Sequence, residues 1–411
     1  MTTRVIFREL SMRQEGDSWV VGRPETGDFV MVPEVAHRAI TLLSAPCTVE
    51  ETTLRLRVET GQDIAVADFV ASLDELGFVA VIDGEARPAT EVPKPTLPWL
   101  RQQHLSWLLS PAVPWFAGAV IIAGIIVLVR EPHLTPRFGD LTWTSHAGLA
   151  LAVDAAVGWI LVGLHELAHL ATARAAGVPA QTRLATRLQF LAVETDVSGV
   201  WAAPRRVRVT VYLAGMCIEL VIAAGCLLIL GLAHPHGLAG QMLSITLAES
   251  VLFLPSQLLV FMRTDVYFLL QDLAGCANLY ADGSAYVRDL ARRAVGRRAT
   301  GRGNPPGRDL PDRERRAVRC YAWLLLVGTI ACLADAAFIA VPATIALLVR
   351  GATELDRGAI DMLDGLAALA VLCSIEVLWL YAWWRRHSGQ VRDCLRNWQR
   401  AMGGGDKHAA E

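Results

Sequence analysis

The stretch GWILVGLHELAHLATARAAG, residues 158–177, holds the side chains best suited to chemistry: His165, Glu166 and His169. On a helix, His165 and His169 stand at i and i+4, so both imidazoles leave one face a single turn apart. That spacing lets two nitrogens converge on one zinc ion, with Glu166 alongside to take a proton from a water at the metal. As bare spelling, His-Glu-x-x-His arises by chance in roughly one chain of this length per hundred. The setting carries more weight. The motif lies near one end of an apolar run that begins about Gly148, and ionisable residues inside a membrane span are costly unless they serve a use. Core histidines satisfied by their neighbours are the plainer alternative. The chemistry to expect is hydrolysis at a zinc site set within a membrane.

The elements that must position these residues follow from composition. The chain has 411 residues, 53% of them apolar, and a mean hydropathy of +0.38. That is too apolar for an ordinary soluble protein and predicts a mainly α, polytopic membrane protein. Apolar length predicts spans at about 112–129, 148–172, 209–233, 240–262, 321–349 and 359–384. A net charge of −2 gives no global reason for a nucleic-acid partner. Of the 38 basic residues only Lys94 and Lys407 are lysines, an Arg- and Ala-rich balance that suggests a GC-rich bacterial source. The eight cysteines are scattered without a close pair and read as small apolar fillers, not as a disulfide framework or metal cluster. MTTRVIFREL has no apolar signal-peptide core, so the chain is expected to start in the cytoplasm.

Arginine distribution predicts orientation. Arg174, Arg183, Arg187, Arg205 and Arg206 fall between the second and third spans, and residues 263–319 hold twelve arginines. The alternate loops hold few, and HPHGLAG none. With both termini inside, every Arg-rich loop is cytoplasmic, as expected for a multi-pass protein of the bacterial inner membrane. His165 then lies about 25 Å along the second span and His169 about 6 Å further, both toward the cytoplasm.

A catalytic zinc needs a third protein ligand and leaves its fourth position open. The fourth span also runs inward and ends FMRTDVYFLLQDL. This puts Asp265 within about 5–10 Å of the histidines in depth, with Pro255 expected to bend the helix toward its neighbours. Asp154 shares the histidine face but lies about 16 Å away along the axis. Glu249 is further out still. Glu219, near mid-membrane, reads either as a support for a ligand or as a hydrogen-bonded acid. Glu194 and Asp196, in the loop after the motif, are open to the metal by depth. Asp335 and Glu376 fall in the fifth and sixth spans, expected to be peripheral, where interhelical hydrogen bonds are the plainer role.

Two further stretches bear on substrate. RLATRLQFLAVETDVSGVW contains β-formers bounded by Pro179 and Pro204 and predicts a cytoplasmic or membrane-dipping hairpin. An edge strand there would hold a substrate extended and expose its scissile carbonyl. Residues 1–90 predict a small α+β, winged-helix-like domain: a hairpin in WVVGRPETGDFVMVP, three helices, then the strand FVAVID. Thr48 caps the second helix, with Glu51 completing a capping box. The domain carries 15 Asp/Glu against 8 Arg, the wrong sign for a phosphate-binding surface. A Pro-rich linker, 91–111, leads to the bilayer, with Trp99 and Trp107 as interfacial anchors.

HELAHLATARAAGVP, followed at a distance by FMRTDVYFLLQDLAGCANL, resembles the site-2 protease class of intramembrane zinc metalloproteases, in particular its bacterial peptide zinc metalloprotease branch. TDVSGVWAAPRRVRVTVYLAGMCIEL is similar to that branch as well, and the resemblance covers roughly residues 145–285. It implies zinc as the cofactor, His165, His169 and Asp265 as its ligands, and Glu166 as the general base. The chain departs from the pattern at Val266, where the family usually has Gly. A β-branched residue resists positive φ, so the local turn is expected to differ. LLSAPCTVEETTLRL with FVASLDELGFV resembles PqqD-like domains, which implies recognition of a leader peptide.

The expected organisation is therefore a PqqD-like domain (1–90), a linker (91–111) and a membrane-embedded protease core (112–285). An Arg-rich loop (286–320), two further spans (321–385) and a cytoplasmic tail (386–411) complete it. The expected activity is zinc endopeptidase cleavage of a membrane-associated or leader-bearing peptide at the bilayer. A non-catalytic peptide-binding or export-associated protein keeping the same fold is the alternative; a structural zinc site would tend to close with a fourth protein ligand. A transporter is disfavoured by the lack of paired repeats or broken half-helices.

Overall fold

The computed structural model describes residues 3–88, 91–276, 278–294, 312–355 and 358–403. Much of the expected Arg-rich loop, residues 295–311, and the end of the tail, 404–411, lie outside the described residues.

The N-terminal unit is built on strand β3 (Ser18–Arg23), which pairs on one side with β2 (Ser11–Glu15) and on the other with β4 (Asp28–Pro33). β3 is buried on both faces, Val21 within the domain's core and Val20 on the opposite face. Helices α1 (Glu34–Ser44), α2 (Val49–Thr60) and α3 (Val66–Glu75) bring Ile40, Leu56 and Leu73 onto Val21 and Phe78 to form one core. The predicted capping box is present: the Thr48 side chain accepts from Glu51 N, and Glu51 accepts from Thr48 N. β5 (Val79–Ile82) pairs with β1 (Val5–Phe7) and with β6 (Glu85–Ala86) in a second antiparallel sheet. The sequence pattern anticipated two strands before the helices, and four are found. β1 is only three residues long, and β2 reads SMRQE, without apolar alternation, so neither announces itself by period.

Six helices are long and apolar enough to cross a membrane, as anticipated for a polytopic membrane protein. They run Ala112–Arg130, Ala147–Ala175, Arg205–Ala233, Leu238–Ser256, Glu314–Glu354 and Ala359–Arg392, and are named spans one to six. Their outward faces carry exposed Trp115, Ile122 and Phe338, as a lipid-facing surface requires. Two boundaries differ from the apolar pattern. Span four stops at Ser256, and Pro255 sits in its last turn rather than bending it midway. The apolar residues after it form a turn and a short 3-10 segment, Val260–Met262. Span five contains a π-helical turn at Ala336–Ala340, and its 41 residues far exceed the twenty or so needed to cross.

Span six is not peripheral. Leu149 N donates to Asp364 Oδ1 at 2.9 Å, and Gly148 lies so close to span six that a Cβ there would meet Asp364 O at 1.9 Å. Span six is thus clamped to the helix that carries the histidine motif. Asp335 and Glu376 are exposed and form no hydrogen bond among the described residues, so the expected interhelical bonds are not made.

The expected linker is ordered against the bundle. Thr96 N donates to Ala180 O, Thr96 Oγ1 accepts from Thr182 N, and Arg174 Nη2 donates to Thr96 O. The segment therefore adds backbone contacts beside the end of span two. Trp99 and Trp107 stay exposed, 66% and 61%, as interfacial anchors would. The N-terminal unit also rests directly on the bundle. The backbone of Gly199 approaches Pro24 O so closely that a Cβ would stand 2.6 Å from it. Arg208, fully buried at the start of span three, meets Glu15 of β2 and Asp272. Breaking a buried ion pair by removing one partner costs about 3–5 kcal/mol, because the remaining charge is stranded.

Candidate metal centre

Span two places His165 and His169 one turn apart on a single face, both buried. Span three supplies the wall they lie against. Val211, Gly215 and Glu219 recur every fourth residue and so form one stripe of that helix. At the middle of the stripe, a Cβ on Gly215 would lie 2.2 Å from His165 Nε2, so only glycine leaves room for the ring. The ends of the stripe orient the imidazoles. His165 Nδ1 is 2.8 Å from Glu219 Oε1, and His169 Nδ1 is 2.7 Å from Val211 O. A carbonyl can only accept, so His169 carries its proton on Nδ1 and a neutral ring presents a lone pair at Nε2. An ionised Glu219 fixes His165 in the same tautomer.

The third group arrives from a separate helix. After span four the chain turns through Arg263, which takes φ +60°, and Thr264 stands at the N-cap of a ten-residue helix, Asp265–Ala274. This is the ligand helix. Its first residue, Asp265, sets Oδ2 2.9 Å from His165 Nε2 and 3.1 Å from His169 Nε2, while the two Nε2 atoms are 3.0 Å apart. Val266 is the second residue of the helix and carries no positive φ; the left-handed position falls on Arg263 instead. The departure from Gly at 266 therefore costs no backbone strain.

These three residues fit a metal ion. A tetrahedral ion with zinc's bond lengths of about 2.0–2.1 Å separates its ligand atoms by about 3.3 Å, close to the spacings here. Three lone pairs aimed at one point repel unless a cation or shared protons lie among them. His165, His169 and Asp265 form the group able to hold an ion among the described residues, with candidate ligand atoms all within 4.8 Å of one another.

The remaining sequence candidates go elsewhere. Glu194 pairs with Arg183 at 2.9 Å, and Asp196 accepts from the Ser198 backbone at 3.0 Å and from its hydroxyl. Asp154 is half-buried in span two, its Oδ1 without a partner among the described residues, and Glu249 is buried in span four near Gly158; neither joins the cluster found among those residues. Glu219 lies within hydrogen-bond reach of His165 Nδ1, the contact that one of the two roles open to it from the sequence requires. Gly215 and the Val211 carbonyl were not anticipated. Their signal was the four-residue interval to Glu219, which means nothing until span three is known to face His165.

Glu166 lines a cavity of about 770 Å³ together with His169 and Asp265, and its Oε2 is buried with no hydrogen-bond partner among the described residues. The opposite wall is the predicted hairpin, β7 (Gln181–Arg187) paired antiparallel with β8 (Phe190–Asp196). Thr195 Oγ1 donates to Glu166 O, tying β8 to the motif helix. Span six closes the far side with Trp379 and Trp383, and Trp379 Nε1 donates to Leu188 O at the hairpin tip. A two-stranded ribbon has two outer edges; on that of β7, Thr182 N donates to Thr96 Oγ1 and Thr186 O accepts from Arg386 Nη1.

Comparison with protein-family models, with curated proteins and with solved structures finds no match to this chain.

Proposed function

We propose that the chain is an intramembrane zinc metalloendopeptidase of the site-2 protease type, cleaving a membrane-associated or leader-bearing peptide at the cytoplasmic side of a bacterial inner membrane. The observation that carries this reading is the unpartnered Glu166 oxygen, which shares an open cavity with two of three convergent ligand groups. A purely structural ion needs no such base and would tend to be closed by a fourth side chain; none joins the group among the described residues.

His165 Nε2, His169 Nε2 and an Asp265 carboxylate oxygen would hold the ion. When bound, zinc supplies a Lewis acid that polarises a carbonyl and makes a nearby water more acidic. Glu166 takes the proton of the attacking water and returns it to the leaving amine. Glu219 and the Val211 carbonyl hold both rings in the ligating tautomer. The outer edge of β8 suits a substrate strand, which must leave its helical hydrogen bonds before its carbonyl can be reached; on β7, Thr96 and Arg386 already take Thr182 N and Thr186 O. The N-terminal domain is assigned to leader recognition. β2 and β4 are the outer strands of its sheet and give an added strand a place to pair.

The test is metal content together with cleavage of co-expressed candidate peptides. H165A and H169A should lose both zinc and cleavage, D265A should behave like them, and E166Q should keep zinc and lose cleavage. Cleavage by E166Q at the parent rate would defeat the reading.

A further inference from the structure

We propose that Glu15, Arg208 and Asp272 act as positioning residues for Asp265, so that the seating of the N-terminal domain on the bundle sets the affinity of the metal site. The inference rests on the metal reading above and extends it to a domain that touches none of the ligands.

Arg208 has no solvent exposure, and all five of its N–H groups are used. Nε and Nη2 grip Asp272 at 2.6 and 2.8 Å in a two-point fork. Nη1 and Nη2 hold the two carboxylate oxygens of Glu15, and Nη1 also donates to Ala203 O at 3.3 Å. Arg13, two residues before Glu15 on β2, donates to Glu15 and to Trp201 O, bracing the strand against the bundle. Glu15 thus completes the coordination of an arginine that lies 193 positions further along the chain.

The other end of this chain of contacts is the metal. Asp272 follows Asp265 by seven residues, two helical turns, so both leave the same side of the ligand helix. That helix has only ten residues, too few to be stable by its own hydrogen bonds. Tertiary contacts must hold it. Near its start, Asp265 N donates to Gln257 Oε1 at 3.3 Å and Thr264 Oγ1 to Gln257 O. Near its end Arg208 clamps Asp272, with Arg205 Nε a further 3.4 Å from Asp272 Oδ1. Arg208 also lies one turn before Val211, whose carbonyl orients His169. One guanidinium therefore indexes the ligand helix to the wall of span three, and Glu15 supplies two of its acceptors.

Loss of Glu15 strands two buried N–H groups. The guanidinium must shift to find new acceptors, and the Asp272 end of the ligand helix moves with it. A metal site tolerates about 0.5 Å of such movement, and supports outside the ligands commonly change metal affinity by about 10–100-fold.

The experiment measures zinc affinity by chelator competition on the full-length protein and records the electronic spectrum of the cobalt-loaded form. E15A should weaken zinc about tenfold or more and shift the cobalt bands toward those of D265A. E15Q, which keeps the shape and one strong acceptor, should fall between E15A and the parent and guards against misfolding of E15A. Parent-like zinc affinity and cobalt bands in E15Q and E15A would overturn the coupling, even if both variants melt earlier. H165A and D265A separate the two claims. If they lose zinc while the Glu15 variants keep it, only the coupling fails; if they keep zinc, the metal reading fails and the coupling with it.

Discussion

His165 Nδ1 and Glu219 Oε1 lie 2.8 Å apart, both side chains almost wholly buried, at the face where spans two and three meet. A carboxylate there serves the imidazole, because it fixes the proton on Nδ1 and turns Nε2 toward His169 and Asp265. The other oxygen, Glu219 Oε2, has no hydrogen-bond partner among the described residues.

Removing that contact should be felt at the metal. E219A is expected to weaken zinc binding by about 10–100-fold, with E219Q intermediate because its amide oxygen still accepts. Zinc titration against a chelator checks this, and equal affinities for all three proteins would show that Glu219 has no hold on the ligand.

Gly215 should tolerate no side chain. A Cβ at 215 would stand 2.2 Å from His165 Nε2, whereas one at Gly225, in the same helix, would meet nothing within 4 Å. G215A is therefore expected to insert and fold but to lose its metal, and G225A to keep it. Metal analysis of the two purified variants makes the comparison, each controlling for the cost of altering span three.

Docking of the N-terminal domain should weaken in acid. Burial raises the Glu15 carboxyl, but Arg208 and Arg13 outweigh it and leave the group below its ordinary 4.5. An acid whose pKa is lowered by a contact strengthens that contact fully above the ordinary value and loses the contribution as pH falls through the lowered one. Hydrogen exchange across residues 11–15 and 265–274 should rise together below about pH 4.5, and E15Q should flatten the dependence. A parent profile identical to that of E15Q would contradict the assignment.

The proposed orientation predicts thiol accessibility. In a background cleared of native cysteines, a cysteine replacing His236, between spans three and four, should react with an impermeant reagent on intact cells. One replacing Gln62, exposed on the N-terminal domain, should react only after lysis. The reverse pattern would invert the topology.

The parts of this molecule that were legible in the sequence are those fixed by short-range periodicity. The i, i+4 histidine pair, the six apolar lengths, the Thr48 capping box and the β7–β8 ribbon each depend on residues close together in the chain. Asp265 was reachable through depth and through the family resemblance, but its place at the start of a separate helix was not. The apolar residues after Pro255 look like more of span four, yet the chain breaks at Ser256 and begins a new helix at Asp265. Arg208 stands out in no sequence pattern, because its meaning depends on Glu15 and Asp272, which come to it through the fold. Span six was likewise opaque. Nothing in its composition says that Trp379 reaches the hairpin or that Asp364 lies against Gly148.

The most direct measurement of the central claim is single-turnover cleavage of a co-purified peptide by parent and E166Q proteins of equal zinc content. The account predicts that E166Q holds zinc as tightly as the parent and that its cleavage rate falls by about 10²-fold or more, the usual scale for losing a general base. Parent-like cleavage by zinc-loaded E166Q, or the loss of zinc itself on this substitution, would contradict it.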